Sequence, residues 1–328
     1  MPRELLRKIS RLVRYRKIEA ALRRLLLEPI RGASRRRAYR RMVARAVRGP
    51  TPPVLVYAMP KVASTAAADA LRSIEGLSVF QVHLISAVGI RRLREDMRRR
   101  GLNGLGHDAG DIADLGQALD AGLIRPRRPA KIVSLVREPI ARNISFYFET
   151  LDVLWQTENA HEKVGLERLM SEFHDRFTHE RVLEWFDKEF KPTLGIDVYA
   201  QPFPREAGFR PIDSGPYEVL IMRHDLDDRL KEKLLADLVG VRSVSLAPKN
   251  IGARKAYSDT YREFLSRIRL PEDYVDLMLG SKYARHFFSA EELARLRAKW
   301  LDGRGAEGFA AVSPFVVARD VTRRAETS

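Results

Sequence analysis

The sequence has no cysteine among its 328 residues. Disulfides, thiolate zinc sites, iron–sulfur clusters and cysteine nucleophiles are thereby excluded, and a reducing compartment is favoured. No run of 18 apolar residues occurs, and the N-terminus lacks the unbroken apolar stretch of a secretory signal, so a cytoplasmic location is expected. Acidic residues are the minority charge: 43 Asp and Glu face 59 Lys and Arg, a formal charge of +16. Glycine (20) and proline (17) are too sparse for a collagen-like or low-complexity chain, and 45% apolar residues suffice for a globular core.

The basic excess is local. Residues 1–50 hold 17 Lys and Arg against 3 Asp and Glu, which leaves a net charge of +2 for all the rest. Within that segment Leu5, Ile9, Leu12 and Val13, then Ile18, Leu22, Leu25 and Leu26, recur at helical spacing. A basic amphipathic helix of this kind suits an anionic membrane surface at the inner leaflet; a solvated arm and a nucleic-acid-binding arm are the other two readings. Nucleic acid is the weaker partner, because the remaining chain is nearly charge-balanced.

Gly49-Pro50-Thr51-Pro52-Pro53 is a breaker cluster. It separates residues 1–50 from a single domain over 51–328. Apolar, β-prone runs at Val54 to Ala58, Leu77 to His83, Lys131 to Val136 and Tyr217 to Met222, with a weaker one at Val241 to Leu246, alternate with helical patterns. Gly101, Gly104, Gly106 and Gly110 read as a loop. The alternation predicts an α/β fold with a mostly parallel central sheet flanked by helices, and ligands beyond the carboxyl ends of the strands.

Two segments at such ends have anion-binding chemistry. After the first run, Lys61-Val62-Ala63-Ser64-Thr65 enters a helix of small residues. Its free N–H groups, the Lys61 charge and the two hydroxyls can meet phosphate oxygens, although an ordinary strand-to-helix turn would look the same. It is not the glycine-rich loop of nucleotide triphosphatases. After the third run, Arg137 precedes a helix that carries Ser145, a fork and a hydroxyl able to hold a phosphomonoester; a surface pairing of Arg137 with Glu138 or Glu149 is the plain alternative. No apolar strand here ends in the Asp expected of a magnesium-dependent NTPase.

Pro60-Lys61-Val62-Ala63-Ser64-Thr65 together with Arg137-Glu138-Pro139-Ile140-Ala141-Arg142-Asn143-Ile144-Ser145 resembles the two cofactor signatures of sulfotransferases that use 3′-phosphoadenosine 5′-phosphosulfate (PAPS). Ala63 departs from the usual glycine, a form similar to that of uronyl 2-O-sulfotransferases. The likeness to bacterial capsular polysaccharide synthesis proteins, which are sulfotransferase-like, runs over residues 53 to 300 and includes Trp185-Phe186-Asp187 and Asn250-Ile251-Gly252 with Lys255 and Tyr257. This resemblance implies a P-loop-like sulfotransferase fold and transfer of a sulfonyl group from PAPS to a hydroxyl of a carbohydrate or lipid-linked glycan. It places Lys61, Ala63, Ser64 and Thr65 around the 5′-phosphosulfate, Arg137 and Ser145 at the 3′-phosphate, and Lys255 over the nucleotide.

Such a transfer needs a base for the acceptor proton and positive charge at the leaving oxygen. Lys61 can supply the charge, and His83, at the end of the second strand, is the candidate base, with a hydrogen-bonded core histidine as its plain alternative. His161, His174 and His179 show no convincing metal spacing, and no metal is expected. Trp155, Trp185 and Phe186 read either as a sugar-stacking wall or as core. A nucleotide-dependent kinase and a non-catalytic nucleotide-binding scaffold of polysaccharide assembly are the competing functions.

Overall fold

The computed structural model describes residues 32–99, 107–175, 177–247 and 256–303. The amphipathic pattern over Leu5 to Leu26 and the candidate Lys255 lie outside them. A helix over residues 32–46, α1, precedes β1 (Val54–Tyr57), α2 (Ser64–Arg72), β2 (Val79–Val82), α3 (Ala87–Arg99) and α4 (His107–Leu119), which continues as a π-helical turn over Asp120–Ile124. Then come β3 (Ala130–Val136), α5 (Pro139–Glu149), α6 (Leu151–Trp155), α7 (Ala160–Lys163), α8 (Leu166–Asp175), α9 (Arg181–Trp185) and α10 (Lys191–Leu194). The chain closes with β4 (Phe209–Ser214), β5 (Tyr217–Arg223), α11 (Asp228–Val239), α12 (Ser258–Arg267), α13 (Glu272–Leu279), α14 (Lys282–Phe287) and α15 (Ala290–Leu301).

The strands form one sheet in the order β2-β1-β3-β5-β4, with β4 antiparallel to β5 and the other pairs parallel. β1 and β3 are buried along most of their length, which explains why they read as unbroken apolar runs: strands covered on both faces need no polar side. The chain leaves β1 to build β2 on one side and later adds β3 on the other. The loops after β1 and β3 therefore part at a topological switch point, the place where open α/β sheets hold ligands.

Two expectations change. Val241 to Leu246 is not a strand, and the fifth strand is β4, whose Pro211 lacks the ladder N–H and is tolerated because the strand lies at the sheet edge. Gly215-Pro216 joins β4 to β5, with Gly215 at φ +60° supplying the left-handed turn. Gly110 lies inside α4, not in a loop.

Val43 and Ala46 of α1 are buried in the same core as the sheet. Gly122 permits this approach, because a Cβ there would stand 2.8 Å from Val43 Cγ1. Gly116 of α4 similarly faces the loop after β2, where a Cβ would meet the Leu84 carbonyl oxygen at 2.1 Å. Backbone cannot yield as a flexible side chain does, so Gly116→Ala is expected to cost about 1–3 kcal/mol, read as a lowered unfolding midpoint. An unchanged midpoint would show that the loop gives way freely.

Candidate functional site

The turn after β1 bends without glycine. Lys61 (φ 71°) and Ala63 (φ 66°) both adopt the left-handed conformation. A β-carbon there costs on the order of 1 kcal/mol per residue, so the loop must be held by its surroundings. Two arginines hold it. Arg137 Nη1 donates to the Lys61 carbonyl at 3.1 Å, and Arg142 Nε donates to the Pro60 carbonyl at 3.1 Å. Arg142 is buried, its guanidinium stands 4.5 Å from the Phe146 ring centre, and burial pulls its pKa down to about 10.

Arg137 is fixed in turn by Tyr283 of α14, whose hydroxyl donates to the Arg137 carbonyl at 2.9 Å and accepts from its backbone N–H at 3.2 Å. The Arg137 Nε is buried and has no hydrogen-bond partner. A buried guanidinium N–H without a partner can donate to an oxyanion.

Ala63 caps α2 from the left-handed region and offers no side-chain cap to its first N–H groups. Ser64 and Thr65 open that helix, and Gln81 Nε2 donates to both hydroxyl oxygens, at 3.2 and 3.0 Å. Each hydroxyl that accepts from Gln81 keeps its own O–H to donate to a bound oxygen. Lys61 Nζ stands 3.2 Å from Glu149 Oε2 at the far end of α5, and the Tyr257 hydroxyl donates to the same oxygen at 2.9 Å. Helical spacing puts the half-buried Ser145 on the face of α5 that carries Arg142 and Glu149.

Strand alternation sets Gln81 and His83 on one side of β2. His83 Nδ1 lies 2.6 Å from the Ala58 carbonyl. A carbonyl only accepts, so Nδ1 carries the hydrogen and Nε2 keeps its lone pair. Burial lowers the His83 pKa and outweighs the opposing Ala58 bond, and the Arg142 charge, the least of the three, lowers it further, which favours the neutral ring. The structure thus brings Lys61, Ala63, Ser64, Thr65, His83, Arg137 and Ser145 to the same end of the sheet. His107 begins α4, and its side chain lies outside the description.

Several residues of the site carried no assignment from sequence. Arg142 and Gln81 are two, and the alternation of β2 was the available signal for the second. Glu189 is the third: buried in the π-helical turn Phe186–Phe190, it accepts from Ile85 N at 2.6 Å, Ser86 N at 2.8 Å and the Tyr57 hydroxyl at 2.7 Å, and so fixes the loop that follows His83. His224, after β5, donates its backbone N–H to Val136 O at 2.9 Å; burial first and Arg137 next pull its pKa down to about 3. Trp185 and Phe186 are core: both are buried, and the Trp185 indole donates to the His83 carbonyl at 3.2 Å. His179 is structural, bridging the Phe173 carbonyl at 2.7 Å and the Tyr274 hydroxyl at 3.0 Å.

Burial also lowers the pKa of His174, His179 and His286, the last to about 4. Their usual value is 6.5, so below that pH the unfolded chain binds more protons than the folded one. Stability is therefore expected to be flat between about pH 7 and 9 and to fall as pH drops from about 6.5 toward 4. Denaturant unfolding across that window checks it; stability that rose on acidification would contradict the neutral rings.

Residues 162–289 match a family model described as "NKWYS: Putative capsular polysaccharide synthesis protein". The matched span holds α8 to α14 with β4 and β5, and it lies within the stretch whose residues resemble capsular polysaccharide synthesis proteins. It stops short of the loop at 58–65 and of the segment 137–145. No curated protein and no solved structure matches the chain. No helix among the described residues is long and apolar enough to cross a membrane.

Proposed function

We propose that this chain is a sulfotransferase of P-loop-like fold that moves a sulfonyl group from PAPS to a hydroxyl of a carbohydrate or glycan, in capsular or other cell-surface polysaccharide synthesis. The observation that carries the reading is the meeting of a neutral, correctly tautomeric His83 with an arginine-clamped anion loop at one switch point. The family match at residues 162–289 supplies the polysaccharide context.

PAPS would bring the activated sulfonyl group. The acceptor hydroxyl attacks sulfur as the bond from sulfur to the phosphate oxygen breaks. His83 Nε2 takes the acceptor proton. Lys61, the Ser64 and Thr65 hydroxyls and the first N–H groups of α2 would meet the charge that grows on the leaving phosphate oxygen. Arg137 and Ser145 would hold the 3′-phosphate, and Lys255 stays a candidate for closing over the nucleotide. Magnesium has no role in this scheme.

Thermal unfolding with 3′-phosphoadenosine 5′-phosphate, AMP and ATP plus magnesium tests the reading. A ligand at about 100 times its Kd stabilises by about 2.7 kcal/mol, a shift of a few degrees. Only the 3′-phosphorylated nucleotide should produce it. Stabilisation by ATP plus magnesium alone would favour a kinase, and none by any nucleotide would remove the proposal.

Glu149 opposes the ligand, because its carboxylate holds the lysine that must turn to the phosphosulfate. The pair is partly exposed, and such pairs contribute about 0.2–1 kcal/mol. Glu149→Gln is therefore expected to tighten 3′-phosphoadenosine 5′-phosphate about two- to fivefold by calorimetry. Weaker binding would mean that Glu149 aims Lys61 instead of restraining it.

A further inference from the structure

At the other end of the sheet, α1 and the connection from α4 to β3 enclose a cavity of about 260 Å³. Its floor is made of small and apolar residues, among them Ala44, Val47 and Gly122, and Arg40, Arg48 and Arg128 stand around it. All three arginines are exposed, and none has a carboxylate partner among the described residues. Their neighbours differ: Arg35 pairs with Asp111 and Asp114, and Arg125 with Asp120. The carboxylates nearby are thus already taken.

The surroundings extend the same charge. Residues 32–50 contain no Asp or Glu, and helical spacing turns Arg37 and Arg41 of α1 toward the side that carries Ala44 and Arg48. Cationic side chains around a small concavity match a phosphate headgroup. A nucleic-acid duplex would instead be met by an extended ridge of donors.

We infer that this face docks on an anionic lipid leaflet, with a lipid phosphate seated between Arg40, Arg48 and Arg128. β3 starts beside the cavity and ends at Arg137, and seven residues of strand at about 3.3 Å each put the two ends about 20 Å apart. The docking face is consequently independent of the anion loop, and the inference does not rest on the sulfonyl-transfer reading.

The test is co-sedimentation of the full chain with phosphatidylcholine vesicles, with and without phosphatidylglycerol. The variant R40E/R48E/R128E is compared with R229E/R285E/R295E, which changes the net charge equally at exposed arginines outside this face. Wild type should bind only the anionic vesicles, the first variant should lose about tenfold or more in partitioning, and the second should stay within about twofold. A triple glutamine variant at 40, 48 and 128 should fall in between, which guards against a folding defect of the charge reversal. Wild type that ignores anionic vesicles, equal losses in both reversals, or undiminished binding by R40E/R48E/R128E would each overturn the inference. Duplex DNA captured in place of vesicles would overturn it too.

Discussion

His83→Ala is expected to lower turnover by about 10²- to 10⁴-fold while leaving 3′-phosphoadenosine 5′-phosphate binding within about twofold. The two readouts separate because, under the proposed function, His83 would take the acceptor proton while the Lys61–Thr65 loop, Arg137 and Ser145 would hold the nucleotide. The Ala58 carbonyl fixes the tautomer, so an acceptor hydroxyl finds a lone pair without any ring flip. The pH dependence has a definite sign. Burial holds the folded pKa below the usual 6.5, so the base stays active into mildly acidic solution, and the acidic limb of the rate profile should lie below pH 6.5. That limb should vanish in the variant. Turnover near the wild-type level, or an acidic limb centred above 6.5, would leave His83 as a structural residue.

Glu189→Ala is expected to cost about 3–5 kcal/mol in denaturant unfolding, the largest loss of any polar substitution considered for this chain. Its carboxylate is the shared acceptor of two backbone N–H groups and the Tyr57 hydroxyl; truncation strands the Ile85 and Ser86 N–H groups, while Tyr57 keeps the Thr193 hydroxyl and the Glu189 carbonyl. Glu189→Gln keeps one acceptor oxygen and should cost about half as much. Because the loop after His83 hangs on this carboxylate, kcat should also fall in variants that remain folded. A cost under about 1 kcal/mol would mean that water replaces the carboxylate. Gly89→Ala probes the same point from the other side, since a Cβ there would meet Glu189 Oε2 at 2.2 Å.

The parallel strands were legible because burial on both faces forces unbroken apolar runs, whereas their order, and with it the switch point, came only from the structure. β4 was hidden by Pro211 and by charged residues, which an edge strand tolerates and a central one does not. The polar turn from Lys61 to Thr65 and Arg137 were readable as groups at strand ends. Arg142 was not, although it lies in the same segment: its role depends on a contact 82 positions away. Glu189 was invisible for a similar reason, since its partners lie 103 to 132 positions earlier and nothing local marks a buried carboxylate. Local patterns announce elements, whereas long-range polar contacts leave no periodic trace.

The Tyr283 brace has a consequence for synthesis on the ribosome. The anion loop is finished at residue 65 and Arg137 follows soon after, yet Arg137 gains its two backbone contacts only when Tyr283 has emerged and α14 has packed. A nascent chain that stops at β5 would already hold all the parallel strands and still lack this restraint on the Arg137 backbone.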